Sequence, residues 1–331
     1  LLHRIGASER IGGVIVKLRE LKIGNKVARL PIQQGGMAIR LSTARLAAAV
    51  AEEGGIGLIA ASYMSHDELR YEIRLARALT KGIIGINIMV AAKDFAGVVK
   101  TAIDEGIDLI VAGAGFSRDM FGYGRESGTP IVPIVSSVKL AKISERLGAS
   151  AVVLEGKEAG GHLGTDISIK DLVTDVSRAV KIPVIAAGGV YTGQDIVDMI
   201  NMGASGVQIG SRFLMSKEAN IPDSLREYYL KSKPEDIVVI HSPVGLPGRA
   251  ICSPFAAHIL KEAAPPEKCE NCLKECSHYF CISRRLQITQ QGDTENGLVF
   301  SGEYLPKMKE ILSVHAIFER FKQEIEAAPE N

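Results

Sequence analysis

The chain has 331 residues, 46% of them hydrophobic and 23% charged, with 39 Lys and Arg against 38 Asp and Glu for a formal net charge of +1. That length suits one large α/β barrel with an appendage, or two ordinary domains. A charge so near zero gives no global field to attract nucleic acid or an anionic membrane, and the longest apolar stretch, around Gly82 to Ala92, is broken by Asn87 and far short of the ~20 residues a membrane helix needs.

The N-terminal residues mix Arg, Glu and Lys with short apolar pieces, so no secretory signal is expected and a cytoplasmic protein is. From Leu30 a short apolar run, a small-residue turn and a helical segment recur. The runs are Ala28 to Gln33, Gly57 to Ala61, Ile84 to Met89, Asp108 to Ala112, Ile131 to Val135, Ala151 to Leu154, Pro183 to Ala187 and Gly206 to Ile209. Their near-continuous Val and Ile content is that of strands buried on both faces. Helical patterns lie between them, over Thr43 to Glu53, His66 to Thr80, Phe95 to Glu105, Val138 to Leu147, Ile169 to Val180 and Gln194 to Met202. Gly54, Gly106, Gly148 and Gly203 stand where left-handed C-terminal caps belong. Eight strand-helix units predict a (β/α)8 TIM barrel over residues 20–235, with its chemistry on the loops that follow the strands. A doubly wound open sheet competes, weakened because no Gly-x-Gly-x-x-Gly follows the first strand.

Those loops are rich in small and polar residues: Gln33-Gln-Gly-Gly-Met37, Gly113-Ala-Gly-Phe-Ser117, Ala186-Ala-Gly-Gly189 and Gln208-Ile-Gly-Ser-Arg212, with Asn87 inside the third strand. Loops seven and eight of a barrel are the usual phosphate site, because Gly- and Ser-rich turns present backbone N–H groups. A phosphate-bearing cofactor is expected there. After the sixth strand, Leu154-Glu-Gly-Lys-Glu-Ala-Gly-Gly-His-Leu-Gly164 abandons strand and helix periodicity. Its glycines allow close approach to a ligand, and His162 can exchange a proton near neutral pH. The bland alternative is a glycine loop with a solvent-facing His. Asp119 to Thr129 has no apolar period and is expected as a loop over the site mouth.

Residues 236–331 are expected as a smaller helical, Cys-rich cap, with a helix over Ser224 to Lys233, a strand over Asp236 to His241, a Pro-Gly-Arg-Ala turn near Arg249 and a closing helix over Val314 to Glu326. Arg249 could meet an anion, though packing against carboxylates or carbonyls is the commoner role for an Arg in such a turn. Cys269-x2-Cys272-x3-Cys276-x4-Cys281 offers four thiols, as a zinc site or an iron–sulfur cluster uses. The compact spacing leans toward iron–sulfur, and a reduced, unliganded loop is the alternative.

Gln34-Gly-Gly-Met37, Glu158-Ala-Gly-Gly-His162, Pro183-Val-Ile-Ala-Ala-Gly-Gly189 and Val207-Gln-Ile-Gly-Ser-Arg-Phe213, in that order, resemble the nitronate monooxygenase family, once called 2-nitropropane dioxygenases. That family also takes in flavin-dependent enoyl-acyl-carrier-protein reductases and some NAD(P)H:quinone reductases. The likeness implies an FMN-binding barrel. It places Gly36 and Met37 along the flavin ring, Asn87 on its polar atoms, Glu155 and Gly160 at its border, and Gly188, Gly189, Gln208, Gly210 and Ser211 around the phosphate. His162 matches the family's catalytic His, a base for the acidic Cα–H of a nitroalkane with O2 completing the oxidation. The implied alternatives are reduction of enoyl thioesters or quinones by NAD(P)H, and a flavin/iron–sulfur electron-transfer module. A small-molecule substrate is expected, with no nucleic acid or membrane partner, and a homodimer is left open.

Overall fold

A computed structural model of the chain describes residues 18–329; the secretory-signal expectation falls mostly on residues outside that span. The described chain opens with a hairpin, β1 (Leu21–Ile23) and β2 (Lys26–Ala28). It continues through β3 (Ile32–Gln34), α1 (Ala44–Glu52), β4 (Ile56–Ala60), α2 (His66–Leu79), β5 (Ile83–Met89), α3 (Phe95–Asp104), β6 (Leu109–Gly113), α4 (Met120–Ser127), β7 (Ile131–Val135) and α5 (Val138–Leu147). Then come β8 (Val152–Glu155), β9 (Gly161–His162), α6 (Ile169–Ala179), β10 (Val184–Ala187), α7 (Gly193–Asn201), β11 (Gly206–Ile209), α8 (Ser211–Leu214) and α9 (Asp223–Lys231). The last part holds β12 (Ile237–His241), β13 (Pro247–Ile251), α10 (Pro254–Ile259), α11 (Ile282–Gln290) and α12 (Val314–Glu326).

Strands β3 to β8, β10 and β11 are parallel and close into a barrel, with Val207 opposite Ile32 and Ile209 opposite Gln34 where the ends of the sheet meet. The expected (β/α)8 TIM barrel is the observed fold. Its strands are apolar on both faces for a physical reason. Leu58, Leu109, Val111, Val132 and Val153 point into the barrel, while Ile59, Ile110 and Ala112 point out against α2 and α3. Leu21, Ile23 and Ala28 share the inward cluster, so the hairpin plugs one end of the barrel. Hence the first barrel strand starts at Ile32, not Ala28: the earlier residues pair back on the chain before them. Side-chain oxygens of Ser65, Ser137, Ser168 and Thr192 accept from backbone N–H groups at the starts of α2, α5, α6 and α7.

The Asp119–Thr129 segment corrects its expectation, because it folds as α4. Gly122 and Gly124 break the apolar period, yet Gly124 is where the helix backbone lies against Ile131. Met120 and Phe121 are buried, Phe121 sits 5.9 Å from Phe116, and Gly128 ends the helix at φ +73°. The helix packs on α3 and β7 and lines no part of the strand-end cavity.

Beyond Asp236 the chain does two things. β12 and β13 form an antiparallel sheet whose third strand is β9, donated by the loop after β8. Ile240, Phe255, Ile259, Phe280, Ile282 and Leu286 bury against Ile39, Met89 and Ala92 of the barrel, which makes a cap over the strand ends. α12 instead returns to the outer ring between α7 and α1, where Phe318 and Phe321 meet Phe213 at 5.7 and 6.4 Å.

Candidate active site

A cavity of about 250 Å³ lies at the C-terminal ends of the barrel strands under the cap. The loop after β3 enters it with Gly36 directly over Asn87 of β5; a Cβ on Gly36 would overlap the Asn87 side chain. Ser42 Oγ accepts from Met37 N–H at 2.8 Å and pins the next residue to the wall. Asn87 lines the cavity, and among the described residues its amide makes no hydrogen bond, so both its polar atoms are left for a ligand.

On the opposite wall, β8 ends in Glu155. Burial without a charged partner pushes its carboxyl up to about 8, so at neutral pH it carries a proton. The loop then passes Gly160, where a Cβ would lie 2.7 Å from the backbone of Ser301 and Gly302. Two residues on, β9 pairs His162 with Gly248 of β13. The imidazole is thereby held from two sides: Nε2 lies 2.8 Å from Ser242 Oγ, and the ring meets Phe300 edge-on at 5.3 Å. Burial holds its pKa down to about 4, so the ring is neutral across the physiological range. With Nε2 engaged by Ser242, Nδ1 has no hydrogen-bond partner among the described residues, and the residue lines the cavity.

The remaining wall is backbone. Gly188 and Gly189 take φ of +98° and +72°, which turns the chain after β10. Among the described residues the amides of Gly189, Val190 and Gly210 donate to no protein acceptor. A Cβ on Gly210 would meet nothing nearer than Met37 Sδ at 4.0 Å, so that position opens on the cavity. Ser211 begins the short helix α8 beside it. Gln208 Oε1 accepts from Gln33 Nε2 at 2.7 Å, which leaves the Gln208 amide N–H groups for the cavity. Lys307 places its ammonium 3.8 Å over the Tyr304 ring, at the same end of the cavity as Gly189.

Thus His162, Gly36, Met37, Asn87, Glu155, Gly160, Gly188, Gly189, Gln208, Gly210 and Ser211 all line one cavity. The four cysteines do not line it. Unbonded backbone amides after β10 and β11, beside a hydroxyl and a cation, suit a phosphate. A partnerless Asn87 amide over a glycine-floored slot suits the polar edge of a planar ring. These residues therefore fit FMN.

The contacts that several residues make in and behind the wall were not readable in the sequence. Ser242 stood in a noted Ser-Pro-Val-Gly turn, but only its return beside His162 gives it a partner. Glu158, buried in the glycine loop, accepts from Ser168 Oγ at 2.6 Å and Ile169 N–H at 3.1 Å, which ties that loop to the start of α6. A Glu between two glycines was the available signal. Arg249 donates to Ala159 O at 3.1 Å and Lys157 O at 2.6 Å and pairs with Glu303 at 3.4 Å, so it takes the packing role. Tyr63, Ile282, Leu286 and Phe300 complete the wall from remote segments with no local signal.

The family model described as nitronate monooxygenase matches residues 19–107 and 95–324. A (3aS,4S,5R,7aS)-5-hydroxy-7a-methyl-1-oxo-octahydro-1H-indene-4-carboxyl-CoA dehydrogenase of Rhodococcus jostii is 33% identical over 221 residues, which cover 67% of this chain and 62% of that relative. The chain therefore spans less than two thirds of that protein's length. A probable nitronate monooxygenase of Staphylococcus aureus is 30% identical over 270 residues, covering 68% of this chain and 76% of the relative. Among solved structures, FabK from Thermotoga maritima superposes with a TM-score of 0.78 at 33% identity, covering 90% of this chain and 93% of that one. Nitroalkane oxidase from Streptomyces ansochromogenes gives 0.76 at 25%, covering 91% and 96%. With the family model matched across nearly all the described residues, a closed (β/α)8 barrel and a neutral His162 at its strand ends, the chain belongs to the nitronate monooxygenase family of oxidoreductases.

Proposed function

We propose that the chain is an FMN-dependent nitronate monooxygenase acting on a small nitroalkane or nitronate, with His162 as the base. The observation that carries this reading is the neutral, buried imidazole that is held by Ser242 and lines the cavity. Gly36, Met37, Asn87, Glu155 and Gly160 border the flavin ring in this assignment, and Gly188, Gly189, Gln208, Gly210 and Ser211 hold its phosphate. When bound, FMN accepts electrons from the substrate and delivers them to O2.

His162 uses the tautomer in which Nε2–H donates to Ser242 Oγ and Nδ1 carries the lone pair. Nδ1 takes the proton from the carbon beside the nitro group, and Ser242 steadies the resulting imidazolium. Protonated Glu155 adds no negative charge beside the electron-rich ring. Ile282, Leu286 and Phe300 of the cap exclude water from the reacting carbon.

A second reading is favoured by the similarity to FabK over nine tenths of the chain: reduction of an enoyl thioester with NAD(P)H as donor, His162 placing a proton. Anaerobic spectra of the flavin-loaded protein separate the two. Bleaching by nitronate and not by NADH or NADPH is the expected result. Bleaching by a nicotinamide followed by reoxidation with an enoyl thioester, and not with a quinone, selects the second reading.

A further inference from the structure

Between Ile259 and Ile282 the chain forms no helix or extended strand, only isolated bridges of Leu273 to Ala92 and Phe280 to Ala264. Structureless connections beyond ~12–15 residues are uncommon inside a compact unit and need something to hold them. Within this connection the backbone makes the same turn twice. The N–H of Asn271 donates to Cys269 Sγ at 3.3 Å, and that of His278 to Cys276 Sγ at 3.4 Å; each donor lies two residues after its cysteine. Asn271 and His278 take φ of +52° and +57°, a strained conformation whose visible effect is to wrap an amide around a sulfur. Cys281 is the N-cap residue of α11, so a third sulfur sits at a helix start.

All four thiols are free, and Cys272 and Cys276 both pack against the same apolar cluster of the cap, with Cys281 at the start of the helix that joins it. They are not gathered to a point, however. Among the described residues no three ligand atoms of this loop lie within 4.8 Å of one another, the sole such trio being Glu53, His315 and Glu319 elsewhere. A tetrahedral zinc with Zn–S bonds of ~2.3 Å would draw its sulfurs to ~3.8 Å apart. A cluster in which each iron takes one thiolate spreads them wider.

The loop also adjoins the active-site cavity. Ser62 and Tyr63 line that cavity on one side and, on the other, a second cavity of about 240 Å³ that Cys272 also lines. Tyr63 is left-handed at φ +64°, and its buried hydroxyl lies near Cys272 without a hydrogen bond of good geometry. We propose that Cys269, Cys272, Cys276 and Cys281 ligate an iron–sulfur cluster in the cap, separated from the flavin cavity by the Ser62–Tyr63 wall.

The test is anaerobic reconstitution of the reduced chain with ferric iron, sulfide and excess dithiothreitol, the dithiol supplying the electrons that bring part of the iron to the ferrous state, followed by iron and acid-labile sulfide analysis and EPR of the dithionite-reduced protein. The expected result is iron and sulfide bound in equal amounts, with a cluster EPR signal. Cys272→Ser and Cys276→Ser lose most of the iron, whereas Cys252→Ser, an exposed thiol outside the motif, keeps it. Stoichiometric zinc without sulfide, or all five thiols of the chain still reactive toward maleimide after reconstitution rather than Cys252 alone, overturns the proposal. Circular dichroism shows whether a variant has folded, and the parent chain's iron content decides the matter if one has not. Iron and sulfide are read independently of flavin, so failure of the FMN assignment and failure of the cluster are distinguishable.

Discussion

Burial holds the His162 imidazole neutral, and the residue that fixes its orientation lies eighty positions later in the chain. Two substitutions separate these contributions. His162→Asn is expected to keep flavin bound, because the phosphate wall lies on other strands, and to lower turnover roughly 10²-fold or more. Ser242→Ala leaves the imidazole in place without its partner and is expected to cost roughly tenfold in kcat with little change in flavin content. Steady-state kinetics beside flavin absorbance check both; unchanged kcat in His162→Asn would refute its role. Glu155 gives a pH prediction for the cofactor-free protein. Its folded pKa, about 8, lies above the ordinary 4.5, so the folded state binds the extra proton. Stability from this group is complete below 4.5, erodes as pH rises, and levels off above about 8. Urea midpoints across that range should fall less in Glu155→Gln than in the parent chain, and parallel curves would remove the assignment.

At the scale of elements, the site depends on backbone that passes close to a neighbour. Gly210 opens on the cavity, so Gly210→Val should fill the phosphate end and abolish flavin binding while circular dichroism stays native. Full flavin occupancy would count against that loop. β9 is the element no local pattern could show, since two residues have no period, and it exists because β13 offers them an edge. α4 failed as a loop expectation for a related reason: Gly124, which looks like a turn signal, lets the helix approach Ile131. The serine caps, by contrast, act over three residues and are readable without the fold.

For the whole molecule, α12 joins the C-terminal end of the described chain to the barrel ring. Phe318 is fully buried against Phe213 and Phe321, so Phe318→Ala is expected to cost about 3–5 kcal/mol, measured by urea denaturation. A loss near zero would mean that α12 is not part of the cooperative unit. The cap and the ring helix thus come from one C-terminal stretch that serves both faces of the barrel. The sequence by itself determined the eight buried strands, most of the helices between them and the glycine-rich strand ends. These follow from apolar periodicity and from turn chemistry, which act over a few residues. It also held His162, Asn87 and the glycine pairs in view, because the loops after parallel strands converge at one end of a closed barrel. Only the tertiary structure decided what surrounds them: Ser242 behind the imidazole, Arg249 on the loop carbonyls, Tyr63 between the cavity and the cysteines. Those contacts join segments far apart in the chain, and a side chain's partner across such a distance is set by packing, on which local periodicity has no bearing.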